Sequence, residues 1–214
     1  MARISRSQIL QDFRTRSLLE ATRRIIAAQG FDAITMERVA EEAGITKGGI
    51  YLYFRDKERL MLAALEEIAS EMIRQIESRI DPDASPWDRL CQLVRTQMDT
   101  FERHKDVMRT ILLLRWLMID PRRRRTWRPL LKYRERHLAG IKAILDDGLR
   151  RKIFRPMDTA TAAFYINEIA VSTTQRRMMG LSLASLETDL EGLIGFIAVL
   201  VRPRRHFPGS KEGA

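Results

Sequence analysis

Apolar residues recur at intervals of three and four positions along most of the chain, which is the spacing of one face of an α-helix. In the segment Arg14–Gln29 this face carries Leu18, Ala21 and Ile25, and Gly30 follows as a stop signal. No segment keeps the alternation of apolar and polar residues that a half-buried strand requires, and glycine and proline fall mostly between the helical runs. The pattern therefore predicts an all-α fold.

Further helices follow from the same periodicity and from residues that favour helix ends. Thr35 is expected to cap a helix that ends near Ala43, and Thr46 is expected to cap a short helix that ends near Leu52. The remaining predicted helices cover 56–79, 85–103, 105–118, 123–151, 158–180 and 185–202. A chain of 214 residues with this pattern can form one or two compact helical domains.

The stretch GITKGGIYLYF, residues 44–54, places two glycines directly before a dense aromatic cluster. Together with the preceding helix it gives two short helices joined by a glycine turn, which is the layout of a helix-turn-helix unit. Gly48 and Gly49 have no side chains and would let the second helix approach DNA closely, while Ile50 and Phe54 turn inward. The same layout occurs in all-α proteins that do not bind DNA, so the shape alone leaves both interpretations open.

The longer stretch AITMERVAEEAGITKGGIYLYFRDKERLMLAAL resembles the N-terminal domain of TetR-family transcriptional regulators. Four spaced elements carry the resemblance: Thr35, Ala43–Gly44, the aromatic run from Tyr51 to Phe54, and Lys57–Leu60. The resemblance covers residues 16–65 and implies a three-helix helix-turn-helix domain for DNA binding at 1–59. It also implies a helical domain for effector binding and dimerisation at 60–214.

The resemblance also implies which residues contact DNA. Those expected at phosphates carry a hydroxyl group or a positive charge, and they are Thr35, Thr46, Tyr51, Tyr53 and Lys57. Those expected nearest the base edges are Lys47, Gly48 and Gly49, with Met36 or Glu37 from the preceding helix. Because helix 46–52 holds no arginine, asparagine or glutamine, base recognition is expected to depend partly on the main chain and on DNA shape. Arg3, Arg6 and Arg14 are expected to form a flexible basic arm that either reaches the adjacent groove or is merely solvated.

The formal net charge of +10 and the pI of about 10.3 suit a polyanionic partner, but most of the surplus lies outside the helix-turn-helix. Between Arg122 and Lys152 there are 12 Lys and Arg residues against 3 Asp and Glu residues. One interpretation is that the run DPRRRRTWRPLLKYRER only solvates a helix face. The alternative is that Arg122 to Arg125 and Arg128 flank a pocket and attract an anionic effector with an apolar body.

Large and adaptable side chains are concentrated in the middle helices. Such residues are typical of an ordinary helical core, and they also line ligand pockets in helical bundles. On the grounds of the resemblance we predict a pocket for a small-molecule effector. Its predicted lining is Met98, Phe101, Met108, Leu112, Trp116, Trp127, Tyr133, His137 and Asn167.

The last two predicted helices carry one stripe of small residues and one stripe of large apolar residues. Either stripe could belong to the core of one chain or to an isologous four-helix interface between two chains. The resemblance favours a homodimer, since one recognition helix buries too little surface for specific DNA binding and dimers bind two half-sites. The predicted interface residues are Ala163, Ile166, Ala170, Thr174, Leu190, Leu193 and Ile197.

Other classes of protein find little support in the sequence. The single cysteine, Cys91, excludes an internal disulfide framework and fits a cytoplasmic location. No stretch approaches the roughly 18 apolar residues that a membrane span needs, and the first residues lack the apolar core of a signal peptide. No cluster has the spacing of metal ligands and no nucleophile has a matching base, so we predict no enzyme activity, no metal and no cofactor.

The predicted function is that of a ligand-responsive transcriptional regulator. A homodimer would bind a palindromic operator on double-stranded DNA as a repressor, and a hydrophobic or amphipathic small molecule would release it. A non-specific architectural DNA-binding protein is a rival prediction because of the high pI. A regulator that binds only proteins, with a degenerate DNA-binding domain, is another, although the intact Thr46, Tyr51 and Lys57 disfavour it.

Overall fold

The structure is a computed structural model that describes residues 5–117 and 119–203, with side chains except at 6, 7, 113–117, 122 and 123. Its secondary structure confirms the all-α prediction. The helices are α1 Arg6–Gln29, α2 Met36–Glu42, α3 Lys47–Ile50, α4 Lys57–Glu77, α5 Pro86–Arg103, α6 Lys105–Leu117, α7 Pro121–Trp127, α8 Leu131–Arg150, α9 Thr159–Met178 and α10 Leu186–Val201. Short 3-10 turns cover Phe31–Ala33 and Arg128–Leu130. Within the described ranges, none of the helices is long and apolar enough to cross a membrane.

Helix α1 begins eight residues earlier than the sequence pattern predicts, at Arg6 instead of Arg14. Ser5 and Gln8 form a capping box, in which the Ser5 hydroxyl accepts from the Gln8 amide at 3.1 Å and the Gln8 side chain accepts from the Ser5 amide at 2.9 Å. These bonds satisfy free amides at the helix start and extend the helix. The predicted flexible arm is therefore wrong for Arg6 and Arg14, and Arg3 lies outside the described residues.

The predicted single helix over 123–151 is also wrong, because the structure divides it into α7, a 3-10 turn and α8. The division falls at Pro129, which lies in the 3-10 turn. Proline has no amide hydrogen to donate and its ring disfavours the helical conformation of the preceding residue, so a continuous helix cannot pass through this position without a break.

The predicted capping residues agree with the structure better than the predicted start of α1 and the predicted helix over 123–151 do. Four predicted caps each accept a hydrogen bond from a main-chain amide at 3.1 Å, and they are Thr35, Thr46, Asp158 and Ser185. The predicted short helix ends at Ile50 instead of Leu52. Capping is a local interaction between residues two or three positions apart, which explains why the sequence alone locates it.

Packing divides the chain into two compact units. The N-terminal unit contains residues up to 74 together with 103–134, and its core includes the fully buried Leu18, Ile26, Ile34, Ile50, Leu60 and Leu65. The C-terminal unit contains 75–102 together with the described residues from 135 onward, and its core includes Leu90, Met98, Ile141, Leu145 and Ile166. These units describe packing; the division of function between 1–59 and 60–214 stays a prediction.

Candidate functional site

The turn between α2 and α3 depends on Gly44. Its φ is +67°, in the left-handed region that glycine adopts without the steric cost that a side chain adds. The Gly44 amide donates to the Glu41 carbonyl at 3.0 Å, and the Ile45 amide donates to the Ala40 carbonyl at 2.9 Å. These two bonds satisfy the last carbonyls of α2 and direct the chain into α3.

Helix α3 is held to the rest of the N-terminal unit by its apolar side. Ile50 is fully buried and Phe54 is 8% exposed, as the sequence predicts for side chains that turn inward. Tyr51, by contrast, is 49% exposed and Tyr53 is partly exposed. The inward pair fixes the helix, and the outward residues remain accessible to a partner.

The two glycines of α3 differ in their surroundings. A Cβ atom added to Gly49 would lie 3.1 Å from the Thr46 hydroxyl that caps the helix. A Cβ atom added to Gly48 would meet no described atom within 4 Å, and Gly48 is exposed with an ordinary φ. Neither crowding nor backbone strain within the described chain requires glycine at 48. A partner that approaches the main chain closely would require it.

Lys47, the cation of α3, is already paired with a residue of α2. Its Nζ lies 2.8 Å from Glu37 Oε1, and both side chains are more than half exposed. The hydrogen bond from Lys47 is the largest cause that holds the pKa of Glu37 below its usual value, and a bond from Thr35 lowers that pKa further. The hydrogen bond to Glu37 is also the largest cause that raises the pKa of Lys47 above its usual value. Thr35, Glu37 and Lys47 therefore share one surface patch, and since exposed ion pairs add little stability, the pair can open for a ligand.

Replacing Glu37 by glutamine should release Lys47 and tighten binding to any DNA duplex. We expect the affinity to rise while the slope of log affinity against log salt changes by less than about 0.9 per subunit, the contribution of one phosphate contact, because Lys47 leaves Glu37 to contact DNA in both proteins. Fluorescence anisotropy of a labelled duplex over a salt series measures this slope. Glu20→Gln, which makes the same charge change on α1, is the control. Equal effects of both substitutions would mean that only the net charge matters and that the pair has no local role.

The remaining residues predicted to contact DNA divide by exposure. Thr35, Thr46, Gly48 and Lys57 are exposed, and Gly49 and Tyr53 are partly exposed. Met36 is only 7% exposed and packs in the core, so its side chain has little surface to offer to a base. The periodicity of α2 explains this difference, because Met36 lies on the same apolar face as Val39 and Ala40. Glu37 is the outward residue of that helical turn.

The residues predicted to line an effector pocket fall in both units, and their shared pocket stays a prediction. Met98, Phe101, His137 and Asn167 belong to the C-terminal unit, whereas Met108, Leu112, Trp127 and Tyr133 belong to the N-terminal unit; the side chain of Trp116 lies outside the described residues. Two of them, Asn167 and Met98, are buried, with exposed fractions of 4% and 1%. Asn167 accepts from Gln97 at 3.1 Å, and the Met98 sulfur lies 3.6 Å from the Thr174 hydroxyl.

Two of these residues line separate cavities of the C-terminal unit: Met98 lines one of about 410 Å³, and His137 lines one of about 260 Å³. His137 is 7% exposed, and its burial lowers the pKa to about 4, although Glu77 acts in the opposite direction. The imidazole is therefore neutral at neutral pH. Arg89, which the sequence reasoning missed, lines the same cavity as His137. The sequence could have indicated it, because Arg89 is a charged residue one helical turn before Leu93, on the apolar side of α5.

The residues predicted for a dimer interface require a correction. All seven are at most 5% exposed and pack inside the C-terminal unit, so their side chains belong to the core of one chain. Periodicity identifies the most apolar face of a helix, and that face is the one the chain buries itself. Four other residues of α9 and α10 expose large apolar side chains, with exposed fractions from 41% to 74%: Phe164, Tyr165, Phe196 and Val199.

The arginine run of α7 remains without an assigned role. Arg124, Arg125 and Arg128 are exposed, and the side chains of Arg122 and Arg123 lie outside the described residues. Exposure agrees equally with a solvated surface and with attraction of an anion, so both interpretations made from the sequence stay predictions.

Comparison with known protein families gives one match in the N-terminal unit. Residues 18–64 match the family described as "Bacterial regulatory proteins, tetR family". This segment contains α2, the Gly44 turn and α3, as well as the exposed patch around Lys47.

Among curated proteins, the chain is 33% identical over 100 residues to the HTH-type transcriptional regulator YerO of Bacillus subtilis, itself described as uncharacterized. That match covers 45% of this chain and 34% of YerO. It is 29% identical over 114 residues to the HTH-type transcriptional repressor AcnR of Corynebacterium diphtheriae, which covers 53% of this chain and 55% of AcnR. The chain therefore spans about a third to a half of the length of these relatives.

Two solved structures share the fold over most of the chain. A TetR transcription regulator from Haloarcula marismortui superposes with a TM-score of 0.77 at 19% identity, covering 89% of this chain and 100% of the other. FadR from Bacillus subtilis, in complex with stearoyl-CoA, superposes with a TM-score of 0.69 at 21% identity, covering 85% of this chain and 96% of the other. At these identities the likeness shows the fold alone.

Proposed function

We propose that this chain, which belongs to the TetR family of bacterial transcriptional regulators, is a dimeric repressor that a small-molecule effector releases from a palindromic operator. Family membership establishes a regulator with a DNA-binding helix-turn-helix domain. The observation that carries the finer proposal is the exposed patch of α2 and α3, where Gly48 leaves the main chain uncovered beside Lys47. A DNA strand is a partner that such a surface fits.

Within this proposal each exposed residue has a distinct role. Lys47 leaves Glu37 and contacts a phosphate or a guanine edge, and the Gly48 main chain lies against the DNA. The Tyr51 hydroxyl and the Lys57 ammonium group, both exposed, bind phosphates on either side and fix the position of the helix. Because Lys47 is the only residue of α3, Lys47–Ile50, with a side chain suited to bidentate base contacts, we expect part of the specificity to come from DNA shape.

Dimerisation would supply a second α3 helix, which binds the second half-site of the operator. We propose Phe164, Tyr165, Phe196 and Val199 of α9 and α10 as the interface, in place of the buried residues predicted from the sequence. These four side chains are 41% to 74% exposed, and exposed apolar groups of this size favour an interaction surface. An isologous contact through two helices of each subunit gives a two-fold dimer, which matches the symmetry of a palindromic operator.

Effector release would act through α4. This helix begins three residues after Phe54, and its last two residues, Ile76 and Glu77, line the His137 cavity. An effector that binds better when α4 is displaced would change the spacing of the two α3 helices in the dimer and weaken DNA binding. A coupling of about 1–3 kcal/mol would give roughly 5- to 150-fold regulation. The stearoyl-CoA complex of FadR supports an effector with an apolar body, since that protein shares the fold.

The direct test is selection of bound genomic fragments, followed by affinity measurements on the selected site and on a scrambled duplex. At about 150 mM salt we expect a Kd near 10⁻⁸ M or tighter for the selected site, against about 10⁻⁴–10⁻⁶ M for the scrambled one. Sedimentation should give two subunits per site, and Phe196→Glu should weaken the dimer and the operator complex together. Equal affinity for both duplexes would favour the architectural DNA-binding protein instead.

A further inference from the structure

The cavity around His137 has an apolar floor and a polar rim. Ile76, Leu93 and Ile144 are each at most 6% exposed and form the floor. Glu77 and Arg136 lie at the rim, where both are exposed. Arg136 binds both carboxylate oxygens of Glu77, at 2.8 and 2.5 Å, so this rim pair is neutral as a whole.

Two polar atoms of residues that line the cavity lack a hydrogen-bond partner among the described residues. They are Nε2 of His137 and Nε of Arg89, and both atoms are buried from solvent. An unpaired polar group in the interior costs free energy, because it loses its bonds to water without replacing them. Two such atoms beside one cavity are groups whose missing hydrogen bonds a ligand could supply.

The charges next to Arg89 favour a negatively charged group. Arg89 binds Asp147, but Asp147 also binds Arg150 and, at 3.2 Å, Arg151. Burial would by itself raise the pKa of Asp147, but Arg151, Arg150 and Arg89 outweigh it and hold the pKa below the usual value. One carboxylate therefore faces three guanidinium groups. The positive charge of Arg89 is only partly neutralised, and its Nε–H group has no acceptor among the described residues.

We propose that this cavity binds a small organic acid, toward which Arg89 and His137 turn by a small side-chain movement. Its carboxylate then accepts from Arg89 Nε–H and from His137 Nε2–H, and its apolar body packs on Ile76, Leu93 and Ile144. The inference rests on the proposed function and names the effector class. At about 260 Å³ the cavity is below the range of roughly 300–1,000 Å³ of pockets for drug-sized ligands, so a short or branched chain fits and a long one does not. His137 donates in the tautomer that carries its proton on Nε2.

The first experiment needs no substitution. Calorimetric titration compares straight-chain carboxylates from butanoate to octanoate with the corresponding primary amides, which have nearly the same shape and no charge. We expect each carboxylate to bind at least tenfold more tightly than its amide, with an optimum chain length inside the series. Equal affinities within the pairs, or no binding of any carboxylate at 10 mM, would overturn the inference.

Variants identify the groups that bind. Arg89→Met should remove the preference for the carboxylate, and His137→Leu should weaken carboxylate binding at least tenfold. Arg95→Met, on the same helix at an exposed position, should leave it unchanged. If Arg89→Met fails to fold, Gly140→Leu replaces it. Gly140 lines the cavity, a Cβ atom added there meets no described atom within 4 Å, and leucine favours a helix, so this variant should fold and lose binding. Retained binding in Gly140→Leu would contradict the assigned cavity.

The failure of this inference can be separated from the failure of the proposed function. Binding of carboxylates that depends on Arg89 but leaves operator affinity unchanged would support the site and contradict release by this effector. Release of the operator by amides and carboxylates alike, with no effect of Arg89→Met, would support the regulator and contradict the anion site. The calorimetric and DNA-binding measurements therefore test the two statements independently.

Discussion

Replacing Gly48 by leucine should lower operator affinity by about 30-fold or more while the protein stays folded. The added side chain meets no described atom within the chain, and leucine favours a helix over glycine by up to about 1 kcal/mol, so the free protein should be at least as stable. In the complex the same side chain would hold α3 away from the DNA. Losing a contact worth about 1–3 kcal/mol in each of two subunits corresponds to a loss of about 30-fold or more.

The measurement combines fluorescence anisotropy on the selected operator with thermal unfolding of the free protein. Ala139→Leu adds bulk at an exposed helical position of the C-terminal unit and serves as the control. Unchanged operator affinity in Gly48→Leu would show that α3 does not lie against DNA, and the proposed function would then lose its main support. A variant that unfolds would show that Gly48 has a packing role that its open surroundings do not indicate.

Gly148→Ala should destabilise the C-terminal unit by about 2 kcal/mol. The new Cβ atom would lie 2.0, 2.2 and 2.8 Å from Cδ2, Cε2 and Cγ of the Phe154 ring, which is only 3% exposed. The chain cannot easily withdraw that ring, since the amides of Ile153 and Phe154 both donate to the Gly148 carbonyl. Overpacking a core costs about 1–3 kcal/mol or more, and this exceeds the gain of up to about 1 kcal/mol in helix propensity.

Gly140→Ala on the same helix is the matched control, because its Cβ atom meets no described atom within 4 Å. It should stabilise the protein by up to about 1 kcal/mol. Urea unfolding of both variants and the unsubstituted protein at pH 7 gives the comparison. Total stabilities are about 5–15 kcal/mol, so a difference of about 3 kcal/mol between two glycine-to-alanine changes is large enough to measure. Equal stabilities would mean that Phe154 can move aside at little cost.

The candidate DNA surface could be predicted from the sequence to a large extent because its features are local. The caps Thr35 and Thr46 bond to amides three residues away, and Gly44 supplies a turn within a few residues. Met36 shows the limit of this reasoning. It is predicted as a base contact because helix 46–52 lacks Arg, Asn and Gln, but its burial depends on which side of α2 packs against the other helices.

By itself, the sequence determined the helical periodicity, the capping residues, the glycine turn and the resemblance to the family. Only the tertiary structure decided that Ala163, Ile166 and their neighbours form the core of the chain, because periodicity identifies an apolar face without saying what covers it. Only the tertiary structure brought Arg89 and His137 into one cavity, since they are distant in sequence and belong to different helices. Local bonds are fixed by neighbours in the chain, whereas burial and cavities arise from the packing of helices that meet only after folding.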